Sequence, residues 1–397
     1  MQFPVPSETF ASLDVEALRG QGHELSVYGM RPKHEYYEEL MVERRHSNLS
    51  VFHFSFFSVW MVFLFLIRHP SIFLSLLGWL LKNCLMSPKH LLKSIILLPS
   101  ALFIFASIYK NKPDIVHLFW GHYPSMVGYL VKKYMPSTVV TMFLGAHDLV
   151  SAYPGSISLS HNVDELFTHS KSNLPMIAKL GINKCKANVI VRGTKLDFST
   201  ESDINKFDKL SSPIFLTAGR LIKEKGVDVV LQIFKSLLNS HSNAILYIAG
   251  DGPYKDSLVD MARSFAIDKN VVFLGHIEQT ELIKIMARSH FFLLMSRYPS
   301  ERLPNVVKEA MYQQCVVVTT NTSGIAELIE DNVEGFVVGM QAAGNALSCI
   351  DDCLIDQKRM RSISTAAKLK IKEKFDVNVS MSLYLHIWED AINRKLQ

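Results

Sequence analysis

From residue 114 onward, short apolar runs alternate with stretches whose apolar positions recur every three or four residues. Short runs rich in β-branched and aromatic residues suit buried strands, and the longer period suits helices packed by one face. The pattern predicts strands at 114–119, 138–144, 165–169 and 188–191, with helices at 123–134 and 171–180. A second series predicts strands at 214–218, 244–249, 271–274, 291–295 and 316–319, and helices at 226–238, 256–265, 279–287, 304–312 and 323–329. A last periodic stretch, 378–394, predicts a closing helix. Strands alternating with helices imply parallel sheets covered on both faces, the α/β class.

The polar stretch 195–212 has no apolar period and reads as a linker between the two series. Two doubly wound domains are expected, 1–205 and 206–375, with 376–397 as a helix packing back toward the first. The 397-residue length agrees with two domains of ~150–200 residues each. Ligands of such sheets sit at the carboxyl ends of the strands, so two facing domains would make a cleft.

The segment 47–110 has a different texture. Between Arg44 and Pro113 there is no Asp or Glu, while eight Lys and Arg residues exceed the whole chain's net charge of +5. The uncharged run 47–67 meets the length of a membrane-spanning helix, about 20 residues. It carries His53 and several serines, however, and stops at Arg68-His69-Pro70. The expected arrangement is helical. One face would be buried in the domain and the other, rimmed by basic residues, would lie peripherally on the inner face of the cytoplasmic membrane. A plain buried helical pair and a true span are the alternatives.

Composition narrows the classes. Apolar residues make up 48% and charged residues 20%, which excludes a disordered chain. The net charge is too small to suggest nucleic-acid binding. The five cysteines form no CxxC pair, which fits a reducing cytosol and argues against disulfides or structural zinc.

Candidate chemistry gathers where predicted strands end. Strand 214–218 runs into Gly219-Arg220 and on to Lys225-Gly226, two cations beside a helix start, a pattern that suits a phosphate. A solvated basic turn is the plainer alternative. Strand 291–295 is followed by Glu301, then Pro304 at the first helical position, and Glu309 in the second turn. Carboxylates so placed accept hydrogen bonds from sugar hydroxyls; the alternative for Glu309 is a surface acid paired with Lys308 or a neighbour. No carboxylate pair at glycosidase spacing is recognisable.

These motifs, with Gly250-Asp251-Gly252-Pro253, Phe273-Leu274-Gly275 and the seven-residue gap between Glu301 and Glu309, resemble the retaining family-4 glycosyltransferases of GT-B fold. Residues 3–10 and 22–25, the 145–149 loop and Arg192-Gly193 are similar to members that build colanic-acid-like, capsular and O-antigen polysaccharides. The resemblance implies two Rossmann-like doubly wound domains facing a central cleft. It also implies that Arg220 and Lys225 clamp the donor diphosphate and that Glu309 accepts hydrogen bonds from the ribose. Glu301 would bind the transferred sugar near Leu303, Pro304, Asn305 and Val306. Gly219, Gly252, His276 and Ile277 would complete the donor site, the last two along the nucleobase. His147 and Asp148 would approach the sugar and acceptor, and Ser7, Glu8, Thr9 and Phe10 would line the acceptor side.

The implied function is transfer, with retention, from a nucleotide-diphosphate sugar to a lipid-linked oligosaccharide in bacterial surface polysaccharide synthesis. It needs no metal or cofactor. A nucleotide-sugar epimerase or a catalytically impaired nucleotide-sugar-binding protein are the alternatives. Three departures from the family bear on this reading. Arg302 replaces a Gly. Gln314 replaces a helix-ending Gly, so that turn is expected to be made differently. An apolar strand ordinarily precedes the segment matching 3–10, and is expected ahead of Met1; apolar in-frame codons upstream would support it and a stop codon would defeat it.

Overall fold

The computed structural model describes residues 2–5, 9–196, 206–207, 210–298, 301–340 and 343–397. The chain divides into two compact units, Met1–Arg192 with Val377–Gln397, and Gly193–Asp376. The division falls just ahead of the polar stretch expected as a linker. The closing helix, Val377–Leu396, is part of the first unit. Its apolar stripe at Val377, Met381, Tyr384 and Trp388 has helical spacing and joins Ala17, Leu18, Phe143, Phe167 and Ile190 in one buried cluster.

In the first unit the strands are β1 (Ser26–Gly29), β2 (Ser50–His53), β3 (Ile115–Leu118), β4 (Val139–Phe143), β5 (Glu165–Thr168) and β6 (Ala187–Val189). They form two sheets, β1-β2 and β3-β4-β5-β6, in which every pair is parallel. The second unit holds β7 (Ile214–Ala218), β8 (Ile245–Ala249), β9 (Val271–Gly275), β10 (Phe291–Leu294), β11 (Val316–Thr320) and β12 (Phe336–Val338). Its six strands, also all parallel, lie in the order β12-β11-β10-β7-β8-β9. β10 and β11 are buried at every position, which explains their unbroken apolar sequences. The first strand of this unit, β7, lies centrally between β8 and β10, so the chain winds one way from it and then the other. A topological switch point therefore lies between β7 and β10.

The segment 47–110 departs from expectation. It opens with a strand, β2, and the uncharged run 47–67 does not make one helix. Helix Phe56–Arg68 ends at His69, and helix Pro70–Cys84 starts afresh, the two axes bent by 101°. Pro70 has no N–H to continue a ladder, yet is preorganised for a first helical turn. Helix Pro88–Asn111 follows and is long and apolar enough to cross a membrane, but half of its apolar window is buried in protein. Its Leu98, Ala101, Leu102, Phe105 and Ile108 belong to the core of the unit. The three helices also expose Trp60, Phe63, Ile67, Leu74, Leu92 and Ile96, and Met86 between two of them is 92% exposed.

The turn after helix Asn305–Tyr312 is not made differently. Gln314 takes the left-handed conformation itself, with φ +58°. Its N–H donates to Met311 O (3.0 Å) and that of Cys315 donates to Ala310 O (2.9 Å), the Schellman pair that glycine usually closes. A side chain in that conformation is strained. Gln314→Gly is therefore expected to stabilise the protein by about 0.5–1 kcal/mol, read as a higher urea midpoint at unchanged slope.

Candidate functional site

The carboxyl ends of β7 and β10 bring two loops of the second unit together. Glycine makes the approach possible. Gly226 has φ +70°, and a Cβ there would stand 1.8 Å from the carbonyl oxygen of Met295. Gly250, with φ +132°, likewise packs on the β7 loop, where a Cβ would lie 1.9 Å from Gly219 O. Arg297 fastens the loops: its backbone N–H donates to Glu224 O (2.7 Å), and its guanidinium to Lys223 O (2.7 Å) and to both Asp228 carboxylate oxygens (2.8 and 3.0 Å).

Against this frame Lys225 Nζ donates to Glu301 Oε2 at 2.5 Å, and Ser296 Oγ donates to the same oxygen at 3.1 Å. Arg220 is exposed and makes no ion pair among the described residues. The site thus offers one free guanidinium and one ammonium already held by a carboxylate. Arg302 is buried, donates to Glu301 O at 3.4 Å, and has its pKa lowered by that burial.

Glu309 is not a surface acid. It is 5% exposed, and Gln279 Nε2, at the start of helix Gln279–Arg288, donates to its Oε1 at 2.8 Å. Burial raises its pKa; the Gln279 hydrogen bond and the charge of Lys308 oppose the rise. Leu303 and Pro304 are buried, and Asn305 and Val306 are half-buried in the opening turn of helix Asn305–Tyr312. Pro304 caps that helix as the residue just before it. The N–H of Gly252 donates to Asp251 Oδ1 at 2.7 Å, and His276 is exposed beside half-buried Ile277, just past β9.

The first unit holds the remaining predicted residues. His147 and Asp148 follow β4 in the short helix Ala146–Ser151. Asp148 is 3% exposed, and its Oδ2 accepts from the Gly145 N–H (2.9 Å) while Oδ1 pairs with His122 Nδ1. Its carboxylate is therefore turned inward. His122 Nε2 in turn lies 3.1 Å from Nδ1 of the exposed His147. Ser151 Oγ also lies 3.3 Å from His147 Nδ1, and which of the two histidines donates to the other is set by their tautomers. Thr9 and Phe10 open helix Thr9–Gly20, where the Arg192 guanidinium lies 4.1 Å from the Phe10 ring centre. Ser7 and Glu8 lie outside the described residues.

Sequence reasoning brought Arg220, Lys225, Glu301 and Glu309 to the strand ends of one unit. It missed Gln279, Ser296 and Arg297, ordinary polar residues with no motif to mark them. His122 has no motif to mark it either, and only the fold shows its contact with His147.

Residues 199–370 match the family of glycosyl transferases group 1. The chain superimposes on the crystal structure of Anabaena Alr3699/HepE in complex with UDP with a TM-score of 0.74 at 14% identity, covering 98% of each chain. It therefore has the mixed α/β, parallel-sheet fold of the GT-B glycosyltransferases. Among curated relatives, the glycogen synthase of Mycobacterium tuberculosis is 32% identical over 167 residues, 41% of this chain, and the match spans only 38% of that synthase's length. An N-acetylgalactosaminyltransferase of Campylobacter jejuni, whose named substrate is an N-acetylgalactosamine-N,N'-diacetylbacillosaminyl-diphospho-undecaprenol, is 23% identical over 67% of this chain and 71% of its own.

The raised pKa of Glu309 has a sign that can be measured. The folded state keeps its proton where an unfolded glutamate, with an ordinary value of 4.5, has lost it. Its contribution to stability is thus complete below that value and is lost as pH rises through the folded pKa. Without donor, Glu309→Gln is expected to remove this loss, so that its urea midpoint gains on the wild type as pH rises above 4.5. Parallel midpoint curves for the two proteins would contradict the assignment.

Proposed function

We propose that this protein is a retaining glycosyltransferase that moves a sugar from a nucleotide-diphosphate donor to a lipid-linked oligosaccharide acceptor in bacterial surface polysaccharide synthesis. The observation that carries the proposal is the group at the β7–β10 switch point, with Arg220 free, Lys225 held on Glu301, and Glu309 fixed by Gln279. The match to glycosyl transferases group 1, the UDP in the Anabaena structure and the diphospho-undecaprenol substrate of the Campylobacter relative support it.

The chemistry follows from charge. As the bond between the anomeric carbon and the phosphate oxygen breaks, negative charge grows on the departing diphosphate, and fixed cations there stabilise the transition state. Arg220 binds it as a fork and Lys225 as a point charge. The Glu301 carboxylate holds the Lys225 ammonium in place and accepts from hydroxyls of the transferred sugar. Glu309 Oε1 is fixed by Gln279, and Oε2 meets the ribose hydroxyls. The acceptor oxygen bonds to the anomeric carbon on the face the phosphate leaves, and its proton passes to the departing phosphate oxygen. Configuration is retained, and no metal or cofactor is needed. In the first unit His147, positioned through His122, hydrogen-bonds a hydroxyl of sugar or acceptor.

The same reading places the enzyme peripherally on the inner face of the cytoplasmic membrane. Helices Phe56–Arg68, Pro70–Cys84 and Pro88–Asn111, with the turn between the last two, expose Trp60, Phe63, Met86 and Ile96 together with Arg68, Lys82, Lys89 and Lys93. Apolar side chains beside cations, with no acid in the segment, suit an anionic lipid surface.

Two experiments test these statements. Arg220→Ala should lower transfer from the best sugar of a UDP- and GDP-sugar panel by ~10²–10³-fold with an unchanged circular dichroism spectrum. Unchanged turnover would end its role, and nucleotide release from donor without acceptor or water-derived free sugar would favour an epimerase. In sedimentation with anionic vesicles, replacing Lys82, Lys89 and Lys93 by Glu should weaken binding by about 100-fold or more, at ~1 kcal/mol per basic residue. Retention of the wild-type protein in membranes after carbonate washing would instead indicate a span.

A further inference from the structure

Three bases of the first unit have no acid to answer them. Arg31 stands just past the carboxyl end of β1, and His90 and Lys93 lie near the start of helix Pro88–Asn111. Lys33 is taken by Glu38, whereas Arg31, His90 and Lys93 make no ion pair among the described residues. Residues 45–113 contain no Asp or Glu at all.

Contacts draw these bases together around Tyr123, in the loop that follows β3. His90 Nδ1 lies 3.4 Å from the Tyr123 hydroxyl, and both rings pack on Tyr153, at centroid distances of 5.4 and 4.8 Å. Lys93 stands three residues along the helix from His90, the spacing of neighbours on one face. Burial lowers the pKa of His90, and the charges of Lys93 and His122 lower it further. Burial raises that of Tyr123, Cys84 adds to the rise, and the charge of Arg31 opposes it. Each base thus lies within the field of its neighbours. His122, beside Tyr123 in the chain, touches His147 and so joins this cluster to the candidate site of the unit.

Cations placed so close repel one another, and a bound anion would turn that cost into attraction. The donors suit phosphoryl oxygens: a guanidinium fork, an ammonium, the phenol hydroxyl and the His90 Nε2 that is not turned to Tyr123. Tyr123 is buried and His90 half-buried, while Leu92 and Ile96 of the same helix are exposed. Two of the donors are therefore recessed, which favours an anion that enters the protein over a lipid headgroup lying on its surface.

We propose that Arg31, His90 and Lys93, with the Tyr123 hydroxyl, bind the phosphoryl group that joins the sugars of the acceptor to its lipid. The assignment rests on the lipid-linked acceptor proposed above. It gives the acceptor's charged part a site of its own in the first unit, from which His122 and His147 lead to the hydroxyl that receives the sugar.

The first test needs no turnover. In the full chain with labelled histidines, the His90 resonance, assigned by its loss in His90→Gln, is titrated with and without inorganic diphosphate. Diphosphate should raise the His90 midpoint by about one pH unit or more, and Arg31→Ala with Lys93→Ala should abolish the rise. No rise, or a rise that survives both substitutions, would overturn the site. An equal rise with glycerophosphoglycerol, the headgroup of an anionic bilayer lipid, would assign it to the membrane and overturn the acceptor. The second test is transfer to a lipid diphosphate-linked sugar, where Arg31→Ala should raise the acceptor KM by about tenfold or more and leave the donor KM unchanged. An unchanged acceptor KM would sink this site and leave the transferase reading standing. Absence of transfer by the wild-type protein would sink that reading, while the His90 titration still decides whether the cluster binds a phosphoryl group.

Discussion

The close approach of Gly226 to the Met295 carbonyl is the constraint on which the candidate donor site rests. A parallel sheet wound in both directions from β7 leaves the ends of β7 and β10 side by side with no crossover helix between them. The loops that leave those ends can touch only if one backbone lies directly on the other. A side chain at Gly226 would lose that contact, and with it the placement of Lys225 and Glu224 against the 295–301 loop. Arg297 then ties what the glycine admits, through Glu224, Lys223 and Asp228. The site is therefore made by backbone proximity first and by charge second.

The legible parts of the sequence were those under strong packing constraint. β7 was expected at its observed bounds, and β8, β10 and β11 within a residue, because fully buried strands between helices must be apolar throughout. β1 and β2 were not expected. Each is four residues long and, Gly29 apart, has no fully buried position, so no apolar run marks it. The helices Ala343–Ile355 and Gln357–Lys374 were also missed, the second being strongly polar along much of its length. In the site, motif residues could be read because their types are chemically distinctive. Gln279 and Ser296 could not, since their value lies only in what they touch.

Burial reshapes what two acidic residues can do. Asp148 was expected near sugar and acceptor, but its carboxylate is spent on the Gly145 N–H and on His122. A buried charge without partners is costly, so an acid in that position is drawn to internal donors. The consequence is indirect: His122 is fixed by the acid, and the exposed His147 is fixed by His122. Glu309 follows the other course. Its burial outweighs the Gln279 hydrogen bond and the charge of Lys308, so its proton is held more tightly.

Burial also decides what Arg302 does. Arg302 is 8% exposed and bonded to the carbonyl of Glu301, so its guanidinium supports the loop that presents the Glu301 carboxylate. In the function proposed above, the cations left to meet a diphosphate are Arg220 and Lys225. Of these Lys225 is already engaged, so its attraction for phosphate is reduced by the carboxylate it touches, while Arg220 carries its full charge into solvent. On that proposal binding of a diphosphate depends first on Arg220, and the Lys225–Glu301 pair fixes an ammonium in advance at little further loss of side-chain entropy. The arrangement divides the work, with one cation free to capture and the other held where charge will appear.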